Sequence, residues 1–242
     1  MGNALAPRLE NAEKTGVLQL SNLKLVKIPE EVKNLQNVRC LDLSNNRLEV
    51  IKPWITCFKM LKVLNLDKNK LKCFPLELCS FTKLETLSAN QNNLIGLVAP
   101  GLSASFDALV NLRFVHLSCN ELTEFPVELC IRSIPLSVLD LSNNRIRLIP
   151  DCVAEIQAME INLNNNLISI VTSSIAKCPR LRVLRLDNNQ IPLNAFPVEL
   201  FTDSQVSLIC VSGNRFEMRE FYALPGYQQY MERFTATKKK AI

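Results

Sequence analysis

Apolar and polar positions alternate along this chain in a short motif that returns many times. Each copy follows the pattern L-x-x-L-x-L-x-x-N-x-L, with Val, Ile, Ala or Phe replacing some of the leucines. The L-x-L segment has a period of two, which predicts a short strand whose two apolar side chains are buried while the residues beside them point outward. One copy is too small to bury its apolar residues alone, so the pattern predicts copies that stack on one another.

The polar position of the motif is an asparagine in eight copies, and successive asparagines are separated by 23, 23, 28, 24, 22, 23 and 25 residues. A degenerate first copy has Leu23 at this position. An asparagine amide can donate and accept hydrogen bonds at once, so we predict that it satisfies buried backbone groups of neighbouring copies. We call this set the asparagine ladder; it consists of Asn46, Asn69, Asn92, Asn120, Asn144, Asn166, Asn189 and Asn214.

The motif resembles the leucine-rich-repeat family over about residues 15 to 217. Several copies have a proline after the last apolar position, as in Ile28-Pro29 and Phe74-Pro75, which is similar to the 23-residue intracellular subclass of that family. The resemblance implies an α/β fold in which about nine coils form a curved, horseshoe-shaped solenoid. Each coil would contribute one parallel strand to the concave face, and caps would cover both ends.

Three segments follow from this organisation. Residues 1–14 form an N-terminal segment and cap, because Pro7 suits a first helical turn and Thr15-Gly16 suits a helix end. Residues 15–217 form the solenoid, in which the 28-residue unit carries an insertion at about residues 99–103 that we expect to be a loop. Residues 218–242 combine an aromatic-rich C-terminal cap with a basic tail.

Composition narrows the class of protein. The chain is 48% hydrophobic and 21% charged, which excludes a disordered chain. Nine cysteines, an odd number without a C-x-x-C pair, favour a reducing compartment, so we expect a cytoplasmic protein. The net charge of +5 is too modest to indicate nucleic-acid binding. No motif for a cofactor or a metal ion occurs, so we expect neither, and we expect a monomer.

Outward positions of successive strands should align in columns. The column just before the second leucine of the motif, which is the first leucine of the strand, contains Val17, Cys40, Val63, Thr86, Phe114, Val138, Glu160, Val183 and Leu208. Exposed apolar stripes of this kind often mark binding sites, although β-branched residues also favour strands for structural reasons alone. We predict that a protein partner contacts Val63, Phe114, Val138 and Val183, together with His116, Asp140 and Arg185 of the adjacent outward column.

Ser88, His116 and Asp140 fall in one outward column, as the members of a catalytic triad might. A triad also needs a dry pocket and an oxyanion hole, which an open sheet does not provide, so we predict a solvated polar face and no enzyme. The predicted function is a non-catalytic scaffold that binds a protein partner through the concave face. The family resemblance alone supports an alternative, a regulatory subunit of a signalling enzyme in a phosphatase or small GTPase pathway.

The N-terminal sequence Met1-Gly2-Asn3-Ala4-Leu5-Ala6 resembles an N-myristoylation signal, with Ala6 where serine or threonine is preferred. A single acyl chain binds membranes only marginally. Lys238, Lys239 and Lys240 would add attraction to an anionic membrane surface. We therefore expect a cytoplasmic protein that associates with membranes in part through a lipid on Gly2, the alternative being an unmodified N-terminus.

Overall fold

The computed structural model describes residues 2–102 and 105–240, and their side chains over residues 5–102 and 105–237. The chain divides into two units. Unit 1 comprises Met1–Glu121 and Ser133–Pro135, and unit 2 comprises Leu122–Arg132 and Leu136–Ile242.

Unit 1 contains one short strand in each of its coils. The strands are β1 (Val17–Gln19), β2 (Cys40–Asp42), β3 (Val63–Asn65), β4 (Thr86–Ser88) and β5 (Phe114–His116). Each strand is parallel to the next, and equivalent positions pair directly, for example Leu18 with Leu41 and Leu41 with Leu64. The predicted strand in every copy of the motif is confirmed here, with the two motif leucines buried in the core.

Unit 2 repeats the arrangement with β6 (Val138–Asp140), β7 (Glu160–Asn162), β8 (Val183–Arg185) and β9 (Leu208–Cys210). These strands are also parallel and in register, so that Leu139, Ile161, Leu184 and Ile209 lie side by side. The two units together contribute nine strand-bearing coils among the described residues. The predicted leucine-rich-repeat architecture of about nine coils is confirmed.

The segments that return from one strand to the next contain short 3-10 helices. Their bounds are Glu30–Asn34, Pro53–Cys57, Leu76–Ser80, Val127–Leu129, Asp151–Glu155, Ser173–Lys177 and Leu193–Ala195. Most of them begin directly after or at a proline, which lacks an N–H group and has a fixed φ suited to a first helical turn. Most of them have a buried apolar side chain, such as Val32 or Ile55, which attaches the return segment to the core.

The asparagine ladder supplies hydrogen bonds between coils. Asn69 Nδ2 donates to the carbonyl oxygens of Leu43 and Leu66, both at 3.0 Å, and its Oδ1 accepts from the Leu48 N–H at 3.0 Å. The same three-bond pattern occurs at Asn166 and at other ladder positions of both units. Each such asparagine therefore bridges its own coil to the preceding one through groups that water does not reach.

The residue before each ladder asparagine has a left-handed backbone. Its φ is +53° at Asn45, +56° at Lys68, +57° at Cys119 and +56° at Asn143. Asparagine tolerates this conformation better than most residues, because its short polar side chain can form local hydrogen bonds. The recurrent Asn-Asn pairs of the sequence therefore combine a turn residue with a ladder residue.

Helices cover the terminal strand of each unit. Helix α1 (Gly2–Thr15) is longer than the predicted cap helix, and its Arg8 side chain donates to the Gln19 carbonyl of β1 at 2.7 Å. Unit 2 contains α2 (Glu199–Thr202), α3 (Met218–Tyr222) and α4 (Tyr227–Lys240), and the Tyr230 hydroxyl of α4 accepts from the Ile209 N–H of β9 at 3.1 Å. Polar groups of exposed strand edges are thus paired with cap side chains.

The predicted insertion loop begins with a turn. The Leu102 N–H donates to the Ala99 carbonyl at 3.1 Å, and Gly101 has a φ of +79° that suits glycine. Ser103 lies outside the described residues.

Replacing Asn69 by leucine should lower the free energy of unfolding by about 1–3 kcal/mol. The Leu48 N–H would lose its acceptor while staying buried, and an unsatisfied buried group costs about that much. The carbonyl groups of Leu43 and Leu66 would each keep one of their two amide donors, from Asn46 and Asn92. Urea unfolding followed by circular dichroism measures the effect. Asn34→Leu, at an exposed position of the same unit, is the control and should change stability by no more than about 0.5 kcal/mol. Equal midpoints for the two variants would contradict a structural role of the ladder.

Replacing Cys119 by asparagine should raise the free energy of unfolding by about 0.5–1 kcal/mol. The left-handed conformation costs an ordinary side chain about 1–2 kcal/mol, and asparagine avoids part of that cost. The reverse change Asn143→Cys, at the equivalent position of unit 2, should lower stability by a similar amount. Thermal and urea unfolding of both variants check the opposite signs, and a same-sign result would refute the explanation.

Candidate functional site

The outward side chains of unit 1 form a surface on β3, β4 and β5. One column contains Val63, Thr86 and Phe114, which pair across the strands, and Asn65, Ser88 and His116 form the next. Phe114 is 39% exposed, whereas Val63, Thr86 and His116 are half-buried. We call these six residues the unit 1 strand surface.

The unit 1 strand surface is bordered by a hydrogen-bonded polar network that sequence analysis missed. Asp67 Oδ1 accepts from the Ser88 hydroxyl and from the Asn90 N–H, both at 2.7 Å. Asn90 Oδ1 accepts in turn from the N–H and the hydroxyl of Ser118, at 2.8 and 2.7 Å. The network spans three successive coils and fixes polar side chains beside the strands. Its sequence signal was the run of Ser, Asp and Asn one position beyond each strand leucine.

This network also includes Ser88, the serine of the candidate triad, and fixes the direction of its hydroxyl group. The Ser88 hydroxyl donates to the Asp67 carboxylate of the preceding coil, whereas a triad serine would donate to the histidine. His116 lies on the adjacent strand at the paired position. Asp140 belongs to unit 2, where its Oδ1 accepts from the Ser142 N–H at 3.0 Å. The described hydrogen bonds therefore join Ser88 to the preceding coil and Asp140 to the turn that follows its own strand.

Unit 2 carries a surface of different character on β6, β7 and β8. Its columns are Val138, Glu160 and Val183, and Asp140, Asn162 and Arg185, all half-buried. We call these six residues the unit 2 strand surface. Glu160 interrupts the apolar column and accepts a hydrogen bond from Arg185 Nε at 2.7 Å. This hydrogen bond raises the pKa of the Arg185 guanidinium.

The structure thus distributes the seven predicted partner-binding residues over both units. Val63, Phe114 and His116 lie on the unit 1 strand surface. Val138, Asp140, Val183 and Arg185 lie on the unit 2 strand surface. Sequence columns predicted neither the pairing of Glu160 with Arg185 nor the use of Ser88 within a network.

Exposed apolar side chains also occur on return segments. Val26 is 68% exposed and Val50 is 66% exposed in unit 1, and Leu148 and Ile170 form an exposed bridge in unit 2. Beside Val26 a cavity of about 650 Å³ opens on unit 1, with Leu5, Leu23 and Leu25 among its walls. The sequence signal for this cavity was Leu23, which replaces a ladder asparagine.

The remaining predicted positions are at the ends of the chain. Gly2 is the first residue of α1, and Lys238, Lys239 and Lys240 form the last turn of α4, although the side chains of these lysines lie outside the described part. All nine cysteines are free thiols, and burial raises the pKa of Cys178 to about 12. Within residues 2–102 and 105–240, no group of three or more His, Cys, Asp or Glu side chains could hold a metal ion. In the same ranges, no helix has the length and apolar character required to span a membrane.

Two segments, residues 37–58 and 135–156, match the family model described as Leucine Rich Repeat. Among solved structures, an LRR protein of Leptospira interrogans is similar at 24% identity and a TM-score of 0.75, over 95% of this chain and 61% of that one. The leucine-rich repeat domain of APL1B is similar at 22% identity and a TM-score of 0.70, over 96% of this chain and 63% of that one.

A third similar structure is the plant peptide hormone receptor RGFR1 in complex with RGF2, at 24% identity and a TM-score of 0.65. The match covers 82% of this chain and 32% of the receptor chain. This chain thus spans about three fifths of the length of the first two structures and a smaller part of the third. At sequence identities of 22–24%, the structural similarity establishes the fold.

The repeated motif, the parallel strand in each coil and the asparagine ladder agree with the two segments that match the family model. This chain has the leucine-rich-repeat fold.

Proposed function

We propose that this protein is a non-catalytic scaffold that binds a protein partner through its strand surfaces. The observation that carries the proposal is Phe114, an aromatic side chain that is 39% exposed on a strand and flanked by half-buried residues. Aromatic residues on a rigid support are typical centres of binding energy, because they bury a large area and lose little conformational entropy.

The surroundings of Phe114 suit this role. Val63 and Thr86 extend its column with small apolar area, so a partner that covers Phe114 would also exclude water from them. The network of Asp67, Ser88 and Asn90 holds the neighbouring polar side chains in place. A pre-organised surface loses less entropy on binding than a mobile one.

The unit 2 strand surface would contribute specificity. Glu160 and Arg185 form a partly exposed ion pair between Val138 and Val183. An ion pair that is partly exposed to solvent adds little to the free energy of folding. We infer that its two charges serve to match opposite charges on a partner. We therefore propose that the partner presents apolar side chains to Phe114 and a polar, charged segment to Glu160 and Arg185.

The comparisons support binding as the general role. Leucine-rich-repeat proteins generally mediate protein–protein interaction, and the RGFR1 structure is a complex with RGF2. The LRR ectodomain of the receptor kinase GASSHO1/SCHENGEN3 from Arabidopsis thaliana, with a TM-score of 0.54 to this chain, is likewise a complex, with CASPARIAN STRIP INTEGRITY FACTOR 2. A role as a regulatory subunit in a phosphatase or small GTPase pathway would be one instance of such binding.

We further propose that the protein is cytoplasmic and that an acyl chain on Gly2 attaches part of it to membranes. The proposal is supported by the Gly2 motif and by the three lysines at the end of α4. An acyl chain contributes a hydrophobic anchor, and each lysine near an anionic leaflet adds about 1 kcal/mol of attraction.

Phe114→Asp should lower partner binding at least about 10-fold while leaving the circular dichroism spectrum unchanged, because loss of a central aromatic contact costs about 2 kcal/mol or more. The matched control is Val110→Asp, at a position of unit 1 that is 49% exposed but lies outside the strands. Photo-crosslinking from positions 114 and 110 identifies the partner and the face that it covers. Crosslinks confined to position 110, or equal binding by both variants, would refute the proposed surface.

Gly2→Ala should move the membrane-bound fraction entirely into the soluble fraction. Replacing Lys238, Lys239 and Lys240 by glutamine should leave a smaller bound fraction that no longer depends on salt, since lysine attraction is screened within about 8 Å at physiological ionic strength. Fractionation of cells at low and high salt measures both effects, and intact-mass analysis reports the modification. An unmodified N-terminus together with no effect of Gly2→Ala would leave a scaffold without a lipid anchor.

A further inference from the structure

The cavity of unit 1 lies where α1 meets the first coil. It has a volume of about 650 Å³, is open to solvent on one side, and has Leu5, Leu23, Leu25, Val26 and Pro29 among its walls. This volume is within the range of about 300–1,000 Å³ that is usual for sites of small apolar ligands.

The apolar character of the cavity has a specific origin in the first coil. The ladder position of this coil is Leu23, whose N–H donates to Asn46 Oδ1 of the next coil at 3.1 Å, and the Leu25 N–H donates to the same oxygen at 2.9 Å. The backbone is therefore satisfied by the next coil, and the Leu23 side chain is available to line the cavity. Val26, 68% exposed beside it, leaves apolar surface in water, which a ligand would cover.

The N-terminus is adjacent to this cavity. Leu5 belongs to α1, and Gly2 is three residues earlier in the same helix. Residues three apart lie on one face of an α-helix, and three residues correspond to about 4.5 Å along its axis. A group attached to the Gly2 amine would therefore begin about one helical turn from Leu5, which is one of the apolar walls.

We propose that this cavity holds the acyl chain attached to Gly2, an inference that rests on the acylation put forward under the proposed function. A saturated acyl chain is apolar, long and narrow, which matches an apolar cavity that is open at one side. Covalent attachment keeps the chain at a high effective concentration beside the cavity, so even weak apolar contacts suffice to hold it there.

Occupation of the cavity competes with insertion into a bilayer. A chain inside the cavity is unavailable to lipid, and a chain in lipid leaves the cavity open, so the cavity lowers membrane affinity. Lys24, Lys27, Glu30 and Glu31 surround the opening with charge and keep its rim hydrated. Membrane association of this protein is thus set by a balance between two apolar environments.

The test uses the full chain, produced in bacteria with and without an N-myristoyltransferase. Hydrogen exchange of the acylated protein should show slower exchange at residues 22–31 than the unmodified protein shows, with no change in unit 2. Equal exchange at residues 22–31 in the two forms would overturn the proposal.

Leu23→Asn provides the second readout. Asparagine is the residue that the other coils have at this position, so the coil should tolerate it while the cavity loses an apolar wall. Acylated Leu23→Asn should bind phosphatidylserine-containing vesicles at least about 3-fold more tightly than acylated wild type. The control is Val50→Asn, an exposed apolar position on the next coil that is not among the cavity walls, and it should bind as wild type does. Equal vesicle binding by all three acylated proteins would count against the cavity.

Two further measurements separate this inference from the proposed function. Intact mass of the protein from a eukaryotic cytosol reports whether Gly2 is acylated in cells, whereas the enzymatically acylated protein tests the cavity whatever the cells do. Acylation in cells without protection at residues 22–31 overturns the cavity proposal and leaves the membrane anchor. Tight binding of free myristate that protects the same residues of Gly2→Ala would instead assign the cavity to a diffusible fatty acid and overturn attachment through Gly2.

Discussion

The fold depends on hydrogen bonds between buried asparagine side chains and backbone groups, in which one carbonyl group, such as that of Leu43, accepts from the asparagines of two successive coils. A parallel strand of three residues can pair with its neighbours, but the turn that follows leaves carbonyl and N–H groups inside the coil. Asn69 and Asn166 show the solution, in which one amide joins the carbonyl groups of two coils and accepts an N–H from the preceding one. Leucine burial supplies the driving force for stacking, and the asparagines fix the spacing at which stacking occurs.

The same constraint gives the strand surfaces the features on which the proposed binding function rests. Because successive coils are held in register, residues more than 20 positions apart in the chain lie side by side, as Phe114 does with Thr86. The register also allows polar side chains of neighbouring coils to form hydrogen bonds, as Ser88 does when it donates to Asp67. The surfaces therefore present side chains of fixed position and charge.

The ends of a repeat array are where the regular pattern must stop, and the exceptions concentrate there. In unit 2 the Tyr230 hydroxyl accepts the Ile209 N–H that no further strand can pair. In unit 1 the Leu23 N–H of the first coil donates to Asn46 Oδ1 of the next coil. The Leu23 side chain itself makes none of the ladder hydrogen bonds and can therefore be apolar. Leu23 is one of the apolar walls of the cavity that Leu5 of α1 also lines, which relates the end of the array to the proposed control of membrane association.

The sequence by itself determined the strand in each coil, the buried leucines and the aligned columns, because each follows from a local period of two within a unit of nearly constant length. It also indicated that the asparagines serve the backbone, since a polar residue at a fixed place among leucines needs buried partners. Only the tertiary structure decided what depends on contacts between coils. Glu160 pairs with Arg185, Ser88 with Asp67, and Leu5 approaches Leu23, although each pair is at least 18 residues apart in the chain. Such contacts leave no local periodicity, because side chains choose partners by distance and geometry after the coils have stacked.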